Sequence, residues 1–298
     1  MYKNTLEYFS YLLYKSLPEH FYPWFLEKIY KQKTGKKLNL KNPKTFTEKI
    51  QWLKLYDNIP LKTRLTDKLQ ARKWCQEKVN SLNYPYIYGV WNSFDEIDFD
   101  ILPSNFFLKA NHGCAMNIRV ENKDNFLKKG KKQVSKIFDK WLKTNFAFVS
   151  GFELQYNGIS PKIYAEEQLF EETKGRLSDY KVLCMNGKPV FIEYYKFTFF
   201  KDQIIDDKII IYNTKWEKQN FGHTKNIYEG EIPKPHNFDS MLETAEILAK
   251  DFKFVRVDFY EVDKKLYFAE LTFTPSSGFM IFNKSEYDLL LGNMLNIN

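Results

Sequence analysis

Four polar side chains alternate with apolar ones near the end of the chain: Arg256 and Asp258 in Phe254-Val255-Arg256-Val257-Asp258-Phe259-Tyr260, and Glu270 and Thr272 in Leu266-Tyr267-Phe268-Ala269-Glu270-Leu271-Thr272-Phe273. Both runs are rich in aromatic and β-branched residues, and Val262-Asp263-Lys264-Lys265 supplies a turn, so the stretch reads as a β-hairpin. Pairing Asp258 with Glu270 sets Arg256 opposite Thr272 and collects Val255, Val257, Phe259, Ala269, Leu271 and Phe273 on the other face. A slip of one residue would mix carboxylates into that apolar face. Two carboxylates directly across a sheet repel by up to about 1 kcal/mol when solvated, and by more when partly buried. A cation held between them removes that cost, and so does Arg256 in an ordinary surface cluster; the spacing leaves both open.

The composition bounds what such a site can serve. With 298 residues, 44% hydrophobic and 18% aromatic, the chain can bury a large core as one two-lobed unit or as two or three closely packed domains, and it is not a disordered sequence. A formal charge of +8 suits an anionic partner such as a nucleotide, a sugar acid or a membrane surface. The lysines are spread over many segments rather than gathered in one arm, which argues against nucleic acid. Cys75, Cys114 and Cys184 are odd in number and lack metal-site spacing, pointing to a reducing compartment. Glu7 interrupts the apolar start of the chain, so it does not read as a signal peptide, and no run is long enough to span a bilayer.

The elements that must position the polar face follow in order. Residues 5–17 and about 23–34 read as amphipathic helices, the second with Phe21, Trp24, Phe25 and Ile29 on one side and Gly35 at its end. Such a face is either core or, with basic flanks, a membrane-interface contact. Thr45 with Glu48 predicts a capping box, and Thr66-Asp67-Lys68 another helix start. Strands are expected at 106–110 and around 118–120, with the loop Asn111-His112-Gly113-Cys114-Ala115-Met116-Asn117 between them and a helix over about 125–143. Lys109 then stands at a strand end beside a loop that could cover phosphates with backbone N–H groups. A strand from Lys162 leads into a polar segment through Ser178, and strands on either side of Asn186-Gly187 form a second hairpin. Residues 199–238 are poorly patterned and read as a long functional loop. Asp239 is expected to cap a helix to about Lys250, and Glu286 to Leu295 to close the chain as another.

Several blocks, in order, resemble the TupA-like branch of the ATP-grasp proteins, associated with bacterial surface-polysaccharide biosynthesis. They are Asn42-Pro43-Lys44-Thr45-Phe46 with Glu48-Lys49-Ile50-Gln51-Trp52, Thr66-Asp67-Lys68, Leu108-Lys109-Ala110-Asn111-His112-Gly113, Glu166-Glu167, Asp179-Tyr180-Lys181, Asn186-Gly187-Lys188-Pro189, Arg256-Val257-Asp258-Phe259-Tyr260, and Glu270-Leu271-Thr272-Phe273 with Pro275 and Gly278. The resemblance implies an α+β ATP-grasp fold, two lobes holding ATP, preceded by a mainly helical region over 1–100. The ATP-grasp domain would cover 101–298, with a first lobe at 101–165 and a second lobe at 166–298 that carries the hairpin.

The implied roles fall residue by residue. Lys109 would contact ATP phosphates, with His112, Gly113 and Asn117 in the loop closing over them. Glu166, Glu167 and Leu169 would line the hinge under adenine, and Asp179 would bind the ribose. Lys181 and Lys196 would lie on the phosphate side, Arg256 would neutralise the transferring phosphoryl group, and Asp258, Glu270 and Thr272 would hold Mg²⁺. Thr272 stands where many ATP-grasp enzymes have Asn, although the TupA-like pattern commonly has Thr; Lys196 stands where an Arg would be expected. The implied activity is an ATP-dependent carboxylate–amine ligase, making an amide on a uronic acid or similar carboxylate of a capsular or cell-wall polysaccharide or its precursor through an acyl phosphate. Its partners would be ATP, a carboxylate-bearing sugar or glycan and a small amine or amino acid. Its place would be the cytoplasm, with peripheral contact to the membrane or to polysaccharide assembly machinery. The alternatives are a glycosyltransferase, for which Asp98-Phe99-Asp100 offers an acidic pair, and a non-catalytic binding module.

Overall fold

End-capping chemistry sets the helices of the first eighty residues. The computed structural model describes residues 5–169, 178–200, 203–222 and 227–298. Helices α1 (Thr5–Ser16) and α2 (Tyr22–Thr34) come first, and Gly35, at φ 73°, ends the second in the left-handed conformation that glycine tolerates. Helix α3 (Phe46–Tyr56) opens on the expected capping box between Thr45 and Glu48. Helix α4 (Pro60–Thr66) is followed by α5 (Lys68–Lys78), whose first N–H groups are taken by the Asp67 carboxylate.

Strands β1 (Ile87–Trp91), β2 (Phe106–Ala110), β3 (Asn117–Val120) and β4 (Ile163–Glu166) form an antiparallel sheet in the order β1-β4-β2-β3. Its first strand precedes residue 101, so the small sheet reaches back into the segment expected to be mainly helical. After α6 (Lys123–Asn125) and a π turn, α7 (Lys131–Leu142) sets Val134, Phe138 and Trp141 against Phe106 and Leu108 of this sheet.

Strands β5 (Ser178–Met185), β6 (Lys188–Phe200), β7 (Gln203–Asn213), β8 (Lys218–Gln219), β9 (Phe254–Val262) and β10 (Lys265–Thr272) form a larger sheet in the order β10-β9-β5-β6-β7-β8. The expectation of a loop over 199–238 is thus corrected: much of it is β7 and β8. Ile209, Ile210, Ile211 and Tyr212 are all buried, so this strand lacks the period-two alternation by which strands are recognised. Part of the 199–238 segment, and the polar segment before Ser178, lie outside the described residues.

One face of the large sheet, with Val182, Cys184, Ile192, Val257 and Phe259, is buried against α5 and α8 (Phe238–Ala249). Asn237 caps α8, and Asp239, expected as the cap, lies in its first turn. Toward Phe254 the other face is covered by α3 and α9 (Ser285–Met294) through Phe46, Ile50 and Leu291. The rest of that face is polar. Among the described residues no helix is long and apolar enough to cross a membrane.

Candidate active site

The β9–β10 hairpin pairs Asp258 with Glu270, Val257 with Leu271 and Arg256 with Thr272, as the alternation predicts. The next pair is Phe259 with Phe268, which leaves Ala269 as the extra residue of a β-bulge. Phe268, rather than Ala269, therefore completes the apolar face, and Ala269 lines the cleft beside Glu270. Asp263 and Lys264 turn the chain with φ of 48° and 61°, the conformation that matches strand twist in a two-residue hairpin.

On the polar face Arg256 grips Asp258 with a two-toothed fork, Nε to Oδ1 at 2.7 Å and Nη2 to Oδ2 at 2.7 Å. Lys181 Nζ donates to the same Asp258 Oδ2 at 3.1 Å and to Asp179 Oδ2 at 2.7 Å. Arg256 Nη2 also donates to Thr272 Oγ1 at 3.2 Å, and the Thr272 hydroxyl donates to Glu270 Oε1 at 3.0 Å. Burial alone would lower the Lys181 ammonium, but Asp258 and Asp179 hold it above its usual value. Burial alone would raise Glu270, yet Lys68, Arg256 and Lys181 pull it down to about 2. Burial raises Asp179, against the pull of Lys181, and its Oδ1 is a buried oxygen with no hydrogen-bond donor.

A second bulge sets the register of the β5–β6 hairpin. Leu183 pairs with Phe191 but Cys184 with Pro189, so Val190 is the extra residue of the β5–β6 hairpin. Below it Lys181 faces Glu193, and Asp179 faces Tyr195, whereas position 196 is one step out of phase and pairs with Lys208. The bulge shifts by one residue the phase of every β6 position beyond it relative to β5. Glu193, buried beside this cluster and contributing to the Arg256 environment, was not singled out from the sequence.

Across the cleft, Lys109 at the end of β2 is ion-paired with Glu166 of β4. Glu167 continues the strand by bonding Tyr86 twice, its N–H to the Tyr86 carbonyl at 2.8 Å and its Oε2 accepting from the Tyr86 N–H at 2.9 Å; Leu169, two residues on, is half-buried. His112 turns away from the loop, buried with Nε2 3.0 Å from the Trp141 carbonyl, and burial lowers its pKa. Gly113 is needed where it is, because a Cβ there would meet Met116 Sδ at 2.5 Å. Asn117 is exposed on β3, paired with Lys109.

Lys68 ties these halves together and was missed as a site residue, although the Thr66-Asp67-Lys68 block contained it. Its Nζ donates to the Gly113 carbonyl at 2.8 Å and lies 3.6 Å from Glu270 Oε2. A cleft lined by Lys68, Arg72, Tyr164, Glu166 and Ala269 runs between the two sheets. Beyond Thr272 the chain enters a left-handed stretch, Ser276 (φ 49°), Ser277 (φ 52°) and Gly278 (φ 70°). Gln51 Nε2 holds the Gly278 carbonyl at 2.8 Å, and Thr274 donates to the buried Glu153 at 2.5 Å. Gln51, Lys54 and Glu153 form a polar floor that sequence reasoning did not identify.

Asp258 and Glu270 are opposed across the hairpin with the Thr272 hydroxyl beside them, an all-oxygen donor set that fits Mg²⁺ bound by one or two carboxylates plus phosphate oxygens. Both Asp258 oxygens already accept from Arg256, and Oδ2 from Lys181 as well, whereas Glu270 has a third of its side chain open. Among the described residues no group of three His, Cys, Asp or Glu forms a closed metal cage.

A comparison with curated proteins found no match. Solved structures similar to this chain include the ATP-grasp ligase PsnB complexed with a minimal precursor, at 12% identity and a TM-score of 0.41 over 72% of this chain and 54% of that one. The D-alanine–D-alanine ligase of Bacillus anthracis complexed with ATP is similar at 12% identity and a TM-score of 0.42, over 70% and 55%. The phosphoribosylamine–glycine ligase of Thermotoga maritima is similar at 12% identity and a TM-score of 0.43, over 72% and 49%. The chain spans about half the length of these structures. A family model described as TupA-like ATPgrasp matches residues 48–296, taking in both sheets, the hairpin and the cleft between them. The chain belongs to the TupA-like ATP-grasp family, with the α+β fold of that name.

Proposed function

We propose that this protein is an ATP-dependent carboxylate–amine ligase that forms an amide on a uronic acid or similar carboxylate of a capsular or cell-wall polysaccharide or its precursor. The observation that carries the reading is the cluster of Arg256, Lys181, Asp258 and Glu270 on one sheet face, joined through Lys68 to the loop beyond Lys109. In this reading Lys109 and the backbone of the His112–Asn117 loop hold phosphates, the Glu166–Leu169 segment runs along adenine, and Asp179, with its open Oδ1, takes the ribose. Asp258 and Glu270 would hold Mg²⁺, which when bound supplies charge neutralisation on the phosphates. Arg256 and Lys181 balance the charge that develops on the transferring phosphoryl group. A substrate carboxylate oxygen bonds to the terminal phosphorus as the bond to ADP breaks. The amine then forms the C–N bond, loses a proton, and inorganic phosphate leaves. The acyl phosphate between these steps hydrolyses readily, so the site must exclude water.

The partners in this reading are ATP, the sugar or glycan carboxylate and a small amine or amino acid, in the cytoplasm at the inner face of a membrane where such precursors are assembled. The test is a reaction with Mg-ATP, a uronate-containing acceptor and a panel of amines. ADP and phosphate should appear only when acceptor and amine are both present; consumption of a nucleotide-sugar without ATP would refute the ligase reading. No observation favours the glycosyltransferase. Asp98 and Asp100 are exposed on a turn where the Asp98 carboxylate accepts from the Asp100 N–H at 3.0 Å, and Phe99 between them is core.

A further inference from the structure

Helix α1 packs on the core with Tyr11 and Tyr14 and leaves its aliphatic side chains outside. Its inward face is polar-aromatic: Tyr11 is buried, its hydroxyl accepting from the Asn145 N–H at 3.1 Å, and Tyr14 lies against Phe25 and Phe152. Its outward face carries Leu6 (74% exposed), Phe9 (62%), Leu12 and Leu13, at the i, i+3, i+6 and i+7 spacing of one helical stripe. Phe21, just ahead of α2, and Trp24 (54% exposed) are followed at i+7 and i+10 from Phe21 by the exposed Lys28 and Lys31. Lys28 Nζ lies 5.2 Å from the centre of the Trp24 ring. Exposed apolar side chains placed singly need no explanation, but two helices that touch through Tyr14 and Phe25 and each expose large apolar side chains do. Both helices lie outside the residues matched by the family, 48–296.

We propose that the outward faces of α1 and α2 form a docking surface for an anionic lipid bilayer. This deepens the membrane setting proposed above by giving it a surface, and it stands or falls separately from the ligase chemistry. The charge decides the occupant. Over the two helices and the short tail after them, residues 5–37, six lysines outnumber three glutamates with no Asp or Arg, and of these lysines Lys36 is ion-paired with Asp288 at 3.7 Å. A second copy of this chain would bring those lysines against their equivalents. An anionic headgroup layer instead takes the lysines while the leucines and aromatics enter the acyl boundary, with Trp24 at the interface.

The test is co-sedimentation of the full chain with vesicles. The chain should bind vesicles of mixed phosphatidylglycerol and phosphatidylcholine, bind phosphatidylcholine vesicles far more weakly, and be released by salt. The double variant Phe9→Asp, Leu13→Asp should lose at least about tenfold in affinity. Lys28→Glu with Lys31→Glu should abolish the preference for anionic vesicles. These side chains are exposed, so circular dichroism and the thermal midpoint should match the wild type, and ADP release with a soluble acceptor should be unchanged. Equal binding of wild type and both variants would overturn the proposal. So would absence of wild-type binding to the anionic vesicles, and a dimer in solution that the Phe9→Asp, Leu13→Asp variant dissociates would then make the face a self-association surface.

Discussion

Arg256 and Asp258 lie two residues apart on one strand and are joined by both teeth of the guanidinium fork at 2.7 Å. The fork fixes the carboxylate plane while one guanidinium nitrogen is shared with Thr272. Arg256→Lys keeps the charge but not the fork. ADP release should fall about 10- to 100-fold, the loss expected for a charged hydrogen bond worth about 1.5–3 kcal/mol, while the fold survives. Unchanged turnover in this variant would show that charge alone suffices.

Asp258 also accepts from Lys181, so Asp258→Asn leaves two buried cations short of a carboxylate. It should abolish turnover and also cost about 3–5 kcal/mol of stability, read as a lowered urea midpoint. Glu270→Gln is the cleaner probe of metal binding, because its side chain is a third open and is shared more loosely, with Lys68 at 3.6 Å and Arg256 at 3.9 Å. It should abolish ADP release and lower the urea midpoint at pH 7 as well, because the stabilisation that Lys68, Arg256 and Lys181 give the ionised carboxylate is lost.

The pH dependence of Glu270 has a defined sign. Its folded carboxyl titrates at about 2 against an ordinary 4.5, so between those values the unfolded chain binds the extra proton. The stabilisation is complete above pH 4.5 and is lost as the pH falls toward 2. Glu270→Gln should therefore show a shallower loss of thermal midpoint than the wild type over that window. Parallel acid limbs would mean that Lys68, Arg256 and Lys181 do not hold the carboxylate in the folded chain.

Lys109 and Glu166 neutralise each other across β2 and β4. If Lys109 exchanges Glu166 for phosphate oxygens, Lys109→Ala should raise the ATP concentration needed for half-maximal rate about tenfold or more, with a smaller effect on the acceptor. An unchanged ATP dependence would count against its phosphate role.

The hairpin was legible because one face is wholly apolar, which leaves a single register from Arg256 to Thr272. The bulges were not, since Ala269 and Val190 are ordinary strand residues whose extra position leaves no compositional mark. The cost of missing a bulge is a change of phase for every strand residue beyond it. Strand β7 escaped because both its faces are covered, which erases alternation. Lys68 did leave a signal: a cation in the first turn of a helix opposes the helix dipole and needs another partner, which the Gly113 carbonyl and Glu270 supply. The polar floor under Ser277 joins residues more than 200 positions apart, beyond any local pattern.

That floor gives the last prediction. Lys54 of α3 is buried and spends its three protons on Gln51 Oε1 at 3.0 Å, the Ser277 carbonyl at 3.0 Å and Ser277 Oγ at 3.1 Å. It thereby pins the left-handed stretch that follows the metal-side strand. Lys54→Met fills similar space without donors and should cost about 1–3 kcal/mol, because the Ser277 acceptors lose a partner. Burial pushes the Lys54 pKa down to about 8 from 10.5, against the pull of Glu153. Between those values the unfolded chain holds a proton that the folded chain has released, so wild-type stability rises with pH through the window. The variant lacks that group. Urea unfolding at both ends of the window should therefore show the gap between wild type and Lys54→Met widening as the pH rises, and identical slopes would mean that the ammonium is not desolvated beneath Ser277.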